Sequence, residues 1–275
     1  MSTENLELHP EVQRLRGEND LLREEVANLL TESEDLEHII RPNLIALYQT
    51  QIGVWEMKLL KMQCQAARLK RTIELIQAAL NQGRQPDMLA IEGQLDLDFL
   101  EWQQRIQEAG ERIEAAQQRL QNLLPPEADR ELKKIYYVLV KQLHPDLNPD
   151  LTEEQKRLWL RVQDAYEFGD LDELRILALM VDRSDVALGG SIEHLQHEQQ
   201  ILQTHIHRLL KEVETIESQP PLSMRRNLED GRWVAKRQGA IQAEILEFNR
   251  RCEDLTKHIN NLIRNQSDGQ TFSQN

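Results

Sequence analysis

Residues 132–150 read LKKIYYVLVKQLHPDLNPD. Leu132, Ile135, Tyr136, Leu139 and Leu143 recur at i, i+3, i+4, i+7 and i+11, the spacing of one face of an amphipathic helix. His144, Pro145 and Asp146 follow at once. Pro145 lacks the N–H that would continue the helix and pushes His144 out of the α region. Leu147, Asn148, Pro149 and Asp150 are loop formers. Thr152 with Gln155 three residues on predicts a capped helix start, and that helix places Trp159, Val162, Ala165 and Tyr166 on one face. Gly169 and Asp170 end it, and Leu171 to Met180 make a shorter helix. Residues 125–182 are therefore expected to form a compact module in which two antiparallel helices hold up a His-Pro-Asp loop.

Upstream, residues 12–40 carry heptads. The a positions are Val12, Asn19, Val26, Ser33 and Ile40, and the d positions are Leu15, Leu22, Leu29 and Leu36. Leu at every d position, with β-branched residues and one Asn at a, favours a parallel two-stranded coiled coil. The pattern predicts an N-terminal coiled coil over 1–41 that makes a homodimer; the alternative is a helix that packs its Leu stripe on its own chain. Asn19 would pair with its counterpart, and Glu11 with Arg16 and Glu18 with Arg23 across the seam. Residues 1–11 contain no Lys or Arg, which argues against a DNA-binding zipper.

The remaining chain is also helical in pattern. Pro42 is expected to end or restart the helix. Leu44 to Asn81 and Met88 to Leu124, separated by Gly83, Pro86 and Asp87, predict a helical hairpin over 42–124. Gly189 and Gly190 mark a hinge. Ser191, an N-cap type, opens a helix to Glu217. Pro220 and Pro221 break it before a last helix, so 190–265 is expected to be a second hairpin, with a disordered tail over 266–275. No stretch alternates as a strand would. The expected fold class is all-α, with long helical hairpins and a coiled coil flanking the small module.

Composition agrees. The 275 residues are 40% hydrophobic but only 4% aromatic, with 11 Gly and 9 Pro, which suits cores of Leu, Ile, Val and Ala in helices rarely interrupted. The net charge of −14 argues against a general nucleic-acid binder. No run approaches a membrane span, and the first ten residues lack the marks of a signal peptide. Cys64 and Cys252, the only cysteines, suggest neither a zinc site nor a disulfide framework. A cytoplasmic protein without metal or cofactor is the expectation.

The module resembles the J-domain of DnaJ-like co-chaperones. The likeness rests on residues 132–150 and on WLRVQDAYEFGDLDEL from Trp159 to Leu174, roughly a fifth of the chain. The family's helix II pattern falls on Leu132, Lys133, Lys134, Ile135 and Tyr136. Its tripeptide falls on His144, Pro145 and Asp146, the following Asn-Pro on Asn148 and Pro149, the aromatic anchor on Trp159, and the Ala-Tyr pair on Ala165 and Tyr166. The resemblance implies a partner, a DnaK or heat-shock-70-type chaperone ATPase whose ATP hydrolysis is stimulated, and no catalysis by this chain. His144, Pro145, Asp146 and Asn148 would dock, with Lys133, Lys134 and Lys141 meeting an acidic face. The arms would dimerise or hold a client protein. Two departures matter. Tyr137, Val138 and Gln142 stand where family members often carry bases, which thins the basic face. The family's helix I is also missing, and Leu120, Leu123 and Leu124 are expected to supply its packing surface. The alternative is a structural coiled-coil adaptor whose module does not stimulate; exposure of Lys133 and Lys134 beside the loop bears on the choice.

Other candidates are weaker. His194, His197, His205 and His207 share a helix, but no ligand set is completed around them. Arg225, Arg226, Arg232, Lys236 and Arg237 cluster near Trp233 and could attract an acidic partner; offsetting acidic helices is the plainer reading.

Overall fold

The structure is a computed structural model that describes residues 10–181 and 191–271, with side chains of the last helix described as far as Arg264. The expected hinge at Gly189 and Gly190 lies outside the described residues. Eleven α-helices occur among the described residues: α1 Pro10–Glu34, α2 Arg41–Tyr48, α3 Val54–Asn81, α4 Met88–Asp98, α5 Leu100–Gln121, α6 Pro126–Leu143, α7 Glu153–Glu167, α8 Leu171–Met180, α9 Ile192–Ser218, α10 Arg225–Glu229 and α11 Gly231–Thr271. No strand occurs among them, so the fold is all-α. Wider π-helical turns at Asp35–Ile40 and Gln49–Gly53 flank α2. Pro42 is the second residue of α2, which directly follows the first of these π-helical turns, so the chain stays helical through it instead of ending there. The last helix runs to Thr271, past the expected start of a tail at 266.

Two compact units divide the chain. The first comprises residues 1–43 and 122–224, the second 44–121 and 225–275. In the second, α3 packs on α11 and also on α5 and α4. Ile73, Ile76, Ile91, Leu95, Phe99 and Ile259 form its buried cluster. The helices α9 and α11, expected as one C-terminal hairpin, belong to different units: α9 packs on α1, and α11 on α3.

In the first unit the heptad seam is used, but by a helix of the same chain. Leu15, Asn19, Val26, Leu29, Ser33 and Leu36 are buried, and α1 packs on α9. Asn19 Nδ2 donates to the Leu195 carbonyl at 2.9 Å and to Glu198 Oε2 at 3.1 Å. Arg23 Nε reaches Glu198 Oε1 at 2.9 Å, and Gln199 Nε2 reaches Glu18 Oε2 at 2.9 Å. Asn19 in α1 meets Leu195 and Glu198 near the start of α9, whereas Glu37, just past the end of α1, lines a groove with Arg208, Lys211 and Glu212 further along α9, so the two helices run parallel. The parallel coiled-coil geometry expected over 12–40 is thus made with α9, whose Leu195, Leu202, Leu209 and Ile216 are buried at seven-residue spacing. Asn19 and the charges beside it meet α9 where a second copy was expected. A second copy would have to displace α9 to reach this seam.

α1 also packs on α6, and Val26, Ala27, Leu29 and Leu30 share one core with Leu132, Tyr136, Leu139 and Leu143. This corrects the expectation that the end of the preceding helix supplies that surface. Leu124 is partly buried there, but Leu123 is 49% exposed and Leu120 belongs to the other unit.

Candidate functional site

The loop of the first unit is built by local chemistry. Pro126 opens α6, where its fixed φ suits a first turn. The helix stops at His144, whose φ of −70° and ψ of 128° are extended, the conformation that a following proline imposes. The orphan carbonyls at its end are then satisfied from within the loop. Leu147 and Asn148 donate their backbone N–H to the His144 carbonyl at 3.0 and 2.9 Å. The Asn148 amide donates to the carbonyls of Lys141 and His144 at 3.1 and 3.2 Å. Asn148, expected to meet a partner, thus directs its amide inward and staples the loop. Leu147 is buried beneath it, and Pro145 is exposed.

Thr152 and Gln155 make the expected reciprocal capping box at the start of α7. That helix closes at Gly169, whose φ of +67° is left-handed and suits glycine. Asp170 N–H bonds the Ala165 carbonyl at 2.8 Å and Gly169 N–H that of Tyr166 at 3.1 Å, a Schellman turn. Asp170 then caps α8 by accepting from Glu173 N–H. These tight ends fix α7 antiparallel to α6. His144 pairs with Trp159 near one end, and Tyr136 with Tyr166 further along. Leu132, Tyr136, Leu139, Leu143, Trp159, Val162, Ala165 and Tyr166 are all buried, with Ile135 partly so. Val140, Leu174 and Leu177, none of them singled out in the sequence, are fully buried with them.

The tripeptide is held by defined contacts. His144 Nδ1 accepts the Asp146 backbone N–H at 3.1 Å, which leaves Nε2 to carry the proton of the neutral ring. The ring lies edge-on to Trp159, with centroids 5.0 Å apart at 72°. Burial pushes the His144 imidazole below its usual range; Asp146 opposes this, and Arg208 and His205 add to it. The Asp146 carboxylate faces α9. Arg208 donates to Asp146 Oδ2 at 2.6 Å, and His205 Nδ1 lies 3.8 Å from the same oxygen.

The lysines divide. Lys134 and Lys141 are exposed on α6, and Lys141 Nζ sits 5.8 Å from the Tyr137 ring centroid. Lys133 instead turns to Asp35 Oδ2 at 2.9 Å and Asp129 Oδ2 at 3.4 Å. Burial works against its charge, yet Asp35 and Asp129 hold it above the usual lysine range. Tyr166 donates to the other oxygen of Asp35 at 2.9 Å. Asp35 therefore ties the π-helical turn after α1 to both α6 and α7. Of the three lysines expected to face a partner, Lys133 serves this internal contact.

Other candidates are not brought together. No group of three or more His, Cys, Asp or Glu poised for a metal occurs among the described residues. In the second unit Arg225 pairs with Glu229 and Arg237 with Glu56. Burial raises both cysteine thiols above their usual range, which disfavours the reactive thiolate. No helix of the described residues is long and apolar enough to cross a membrane.

Sequence reasoning missed His205 and Arg208 as neighbours of the tripeptide. Arg208 lies 62 residues from Asp146, and neither residue belongs to a local motif. No family model, no curated protein and no solved structure matches the chain.

Proposed function

We propose that residues 125–182 act as a J-domain, and that the protein docks through His144, Pro145 and Asp146 on a DnaK or heat-shock-70-type chaperone ATPase and stimulates its ATP hydrolysis in the cytoplasm. The observation that carries the reading is the loop itself. The tripeptide ends an amphipathic helix, is stapled by Asn148 and His144, and leaves Pro145 exposed. A loop already ordered loses little entropy on docking. Lys134 and Lys141 lie exposed on the helix that leads into it, where they would attract an acidic face and speed encounter. Asp146 would accept a cation of the ATPase in a charge-assisted contact. The protein is a docking partner in this reading, not a catalyst, and the α3–α5–α11 unit is free to hold a client.

The direct test is affinity. The full chain should bind a purified DnaK-type chaperone in its ATP state, and Asp146→Asn should weaken binding at least about tenfold, the scale of losing a charged hydrogen bond. Equal binding by the two proteins would overturn the assignment. The alternative is a structural adaptor whose module only scaffolds. It draws support from the engagement of Lys133 with Asp35 and Asp129. Unchanged chaperone turnover in the presence of the wild-type chain would favour it.

A further inference from the structure

Asp146 is the carboxylate that docking needs, and it already holds a cation. Arg208 Nη2 lies 2.6 Å from its Oδ2, a charge-assisted hydrogen bond of short length. We propose, resting on the docking reading above, that Arg208 of α9 is a gate on the His-Pro-Asp loop: it occupies Asp146 in cis, and a partner's cation must displace it.

The gate is a side chain on a fixed helix. Ile206 and Leu209, which bracket Arg208, are buried with 6% and 3% exposure and belong to the same core as α1, α6 and α7. The α9 backbone is therefore held where it delivers the guanidinium to the loop. The guanidinium itself is free to leave, since the Arg208 side chain is 57% exposed and Asp146 only 29%. Opening the site needs a rotamer change of one long side chain, and α9 need not undock from α1. His205, one helical turn earlier, strengthens the arrangement. Its Nδ1 is buried without a hydrogen-bond partner and lies 3.8 Å from the same carboxylate oxygen. One face of α9 thus presents two nitrogen-bearing side chains to Asp146.

An ion pair this exposed is weak, as surface pairs are, so the gate tunes docking and does not abolish it. Removing it should lower the concentration of this protein that half-saturates chaperone stimulation by about two- to fivefold.

The experiment measures ATP turnover of a purified DnaK-type chaperone against increasing amounts of the full chain as wild type, Arg208→Ala, Arg208→Lys and Asp146→Asn. A second readout needs no partner: the NMR titration of the His144 ring, which the nearby Arg208 charge pushes down. The proposal expects the His144 midpoint to rise in Arg208→Ala, half-saturation to fall two- to fivefold, and Arg208→Lys to stay near wild type. If the midpoint rises but half-saturation is unchanged or worsens while Asp146→Asn loses stimulation, the gate is overturned and docking stands. If the midpoint does not move, the contact is absent and the gate falls on that ground. If the midpoint rises and no protein, wild type included, alters turnover, the docking reading falls and takes the gate with it.

Discussion

Two tyrosines in the core of the first unit should respond in opposite directions to the same chemical change. Tyr136 and Tyr166 stack with ring centroids 3.7 Å apart at 13°, and both are buried, at 0% and 1% exposure. The Tyr166 hydroxyl donates to Asp35 Oδ1 at 2.9 Å; the Tyr136 hydroxyl is buried with no partner among the described residues. Replacing each by Phe deletes one oxygen and keeps the ring. Tyr166→Phe forfeits a bond to a charged acceptor, a loss of about 1.5–3 kcal/mol. Asp35 keeps Lys133, which places the cost toward the lower end. Tyr136→Phe removes a hydroxyl that lost its water without compensation and should be neutral or stabilise by up to about 1 kcal/mol. Trp159 reports on the unit that contains both tyrosines, whereas Trp55, Trp102 and Trp233 lie in the other. Urea unfolding followed by fluorescence, in a background with those three replaced by Phe, therefore isolates the change. At a urea slope of about 1–3 kcal/mol/M, Tyr166→Phe should lower the midpoint by roughly 1 M and Tyr136→Phe should leave it unchanged or raise it. Equal losses from both variants, at an unchanged slope, would refute the assignment of the two hydroxyls.

The lysines should separate by readout: Lys133→Ala should lower the thermal midpoint of the unit with little direct effect on chaperone binding, and Lys134→Ala should do the reverse, chiefly by slowing association. Asn148→Ala removes two donors from the end of α6 and should cost about 1 kcal/mol, seen as faster amide exchange at residues 144–148 with α7 unaffected. Burial depresses the His144 pKa in the folded chain, so the unfolded chain takes up the proton first; the contribution of His144 is complete above its unfolded pKa of about 6.5 and is lost as pH falls through the lower folded value. Wild type should therefore lose stability relative to His144→Gln on acidification below about pH 6.5, and parallel stability–pH curves would count against that burial.

Much of the module was legible because its determinants are local. The stop at Pro145, the Thr152–Gln155 box and the glycine after α7 each act within a few residues, and the buried face of α6 follows from spacing alone. The seam on α1 was legible too, but its partner was not. A Leu stripe accepts any complementary stripe, and nothing in residues 12–40 separates a second copy from a helix far along the same chain. The missing signal lay elsewhere, in Leu195, Leu202, Leu209 and Ile216, a second seven-residue repeat that buries the first. Lys133 and Lys134 are adjacent in sequence yet differ in role because Asp35 lies within reach of only one, a long-range fact. Arg208 was illegible for the same reason: α9 carries it to the loop only through its packing on α1.

The claim that this loop docks on and drives a chaperone ATPase is tested most directly by single-turnover hydrolysis of ATP preloaded on a purified DnaK-type chaperone, with wild-type protein and with Asp146→Asn in parallel. The account predicts that the wild type accelerates hydrolysis in a saturable way while Asp146→Asn, folded to the same thermal midpoint, leaves the basal rate unchanged. Hydrolysis unaffected by the wild type, or accelerated equally by both proteins, would contradict it.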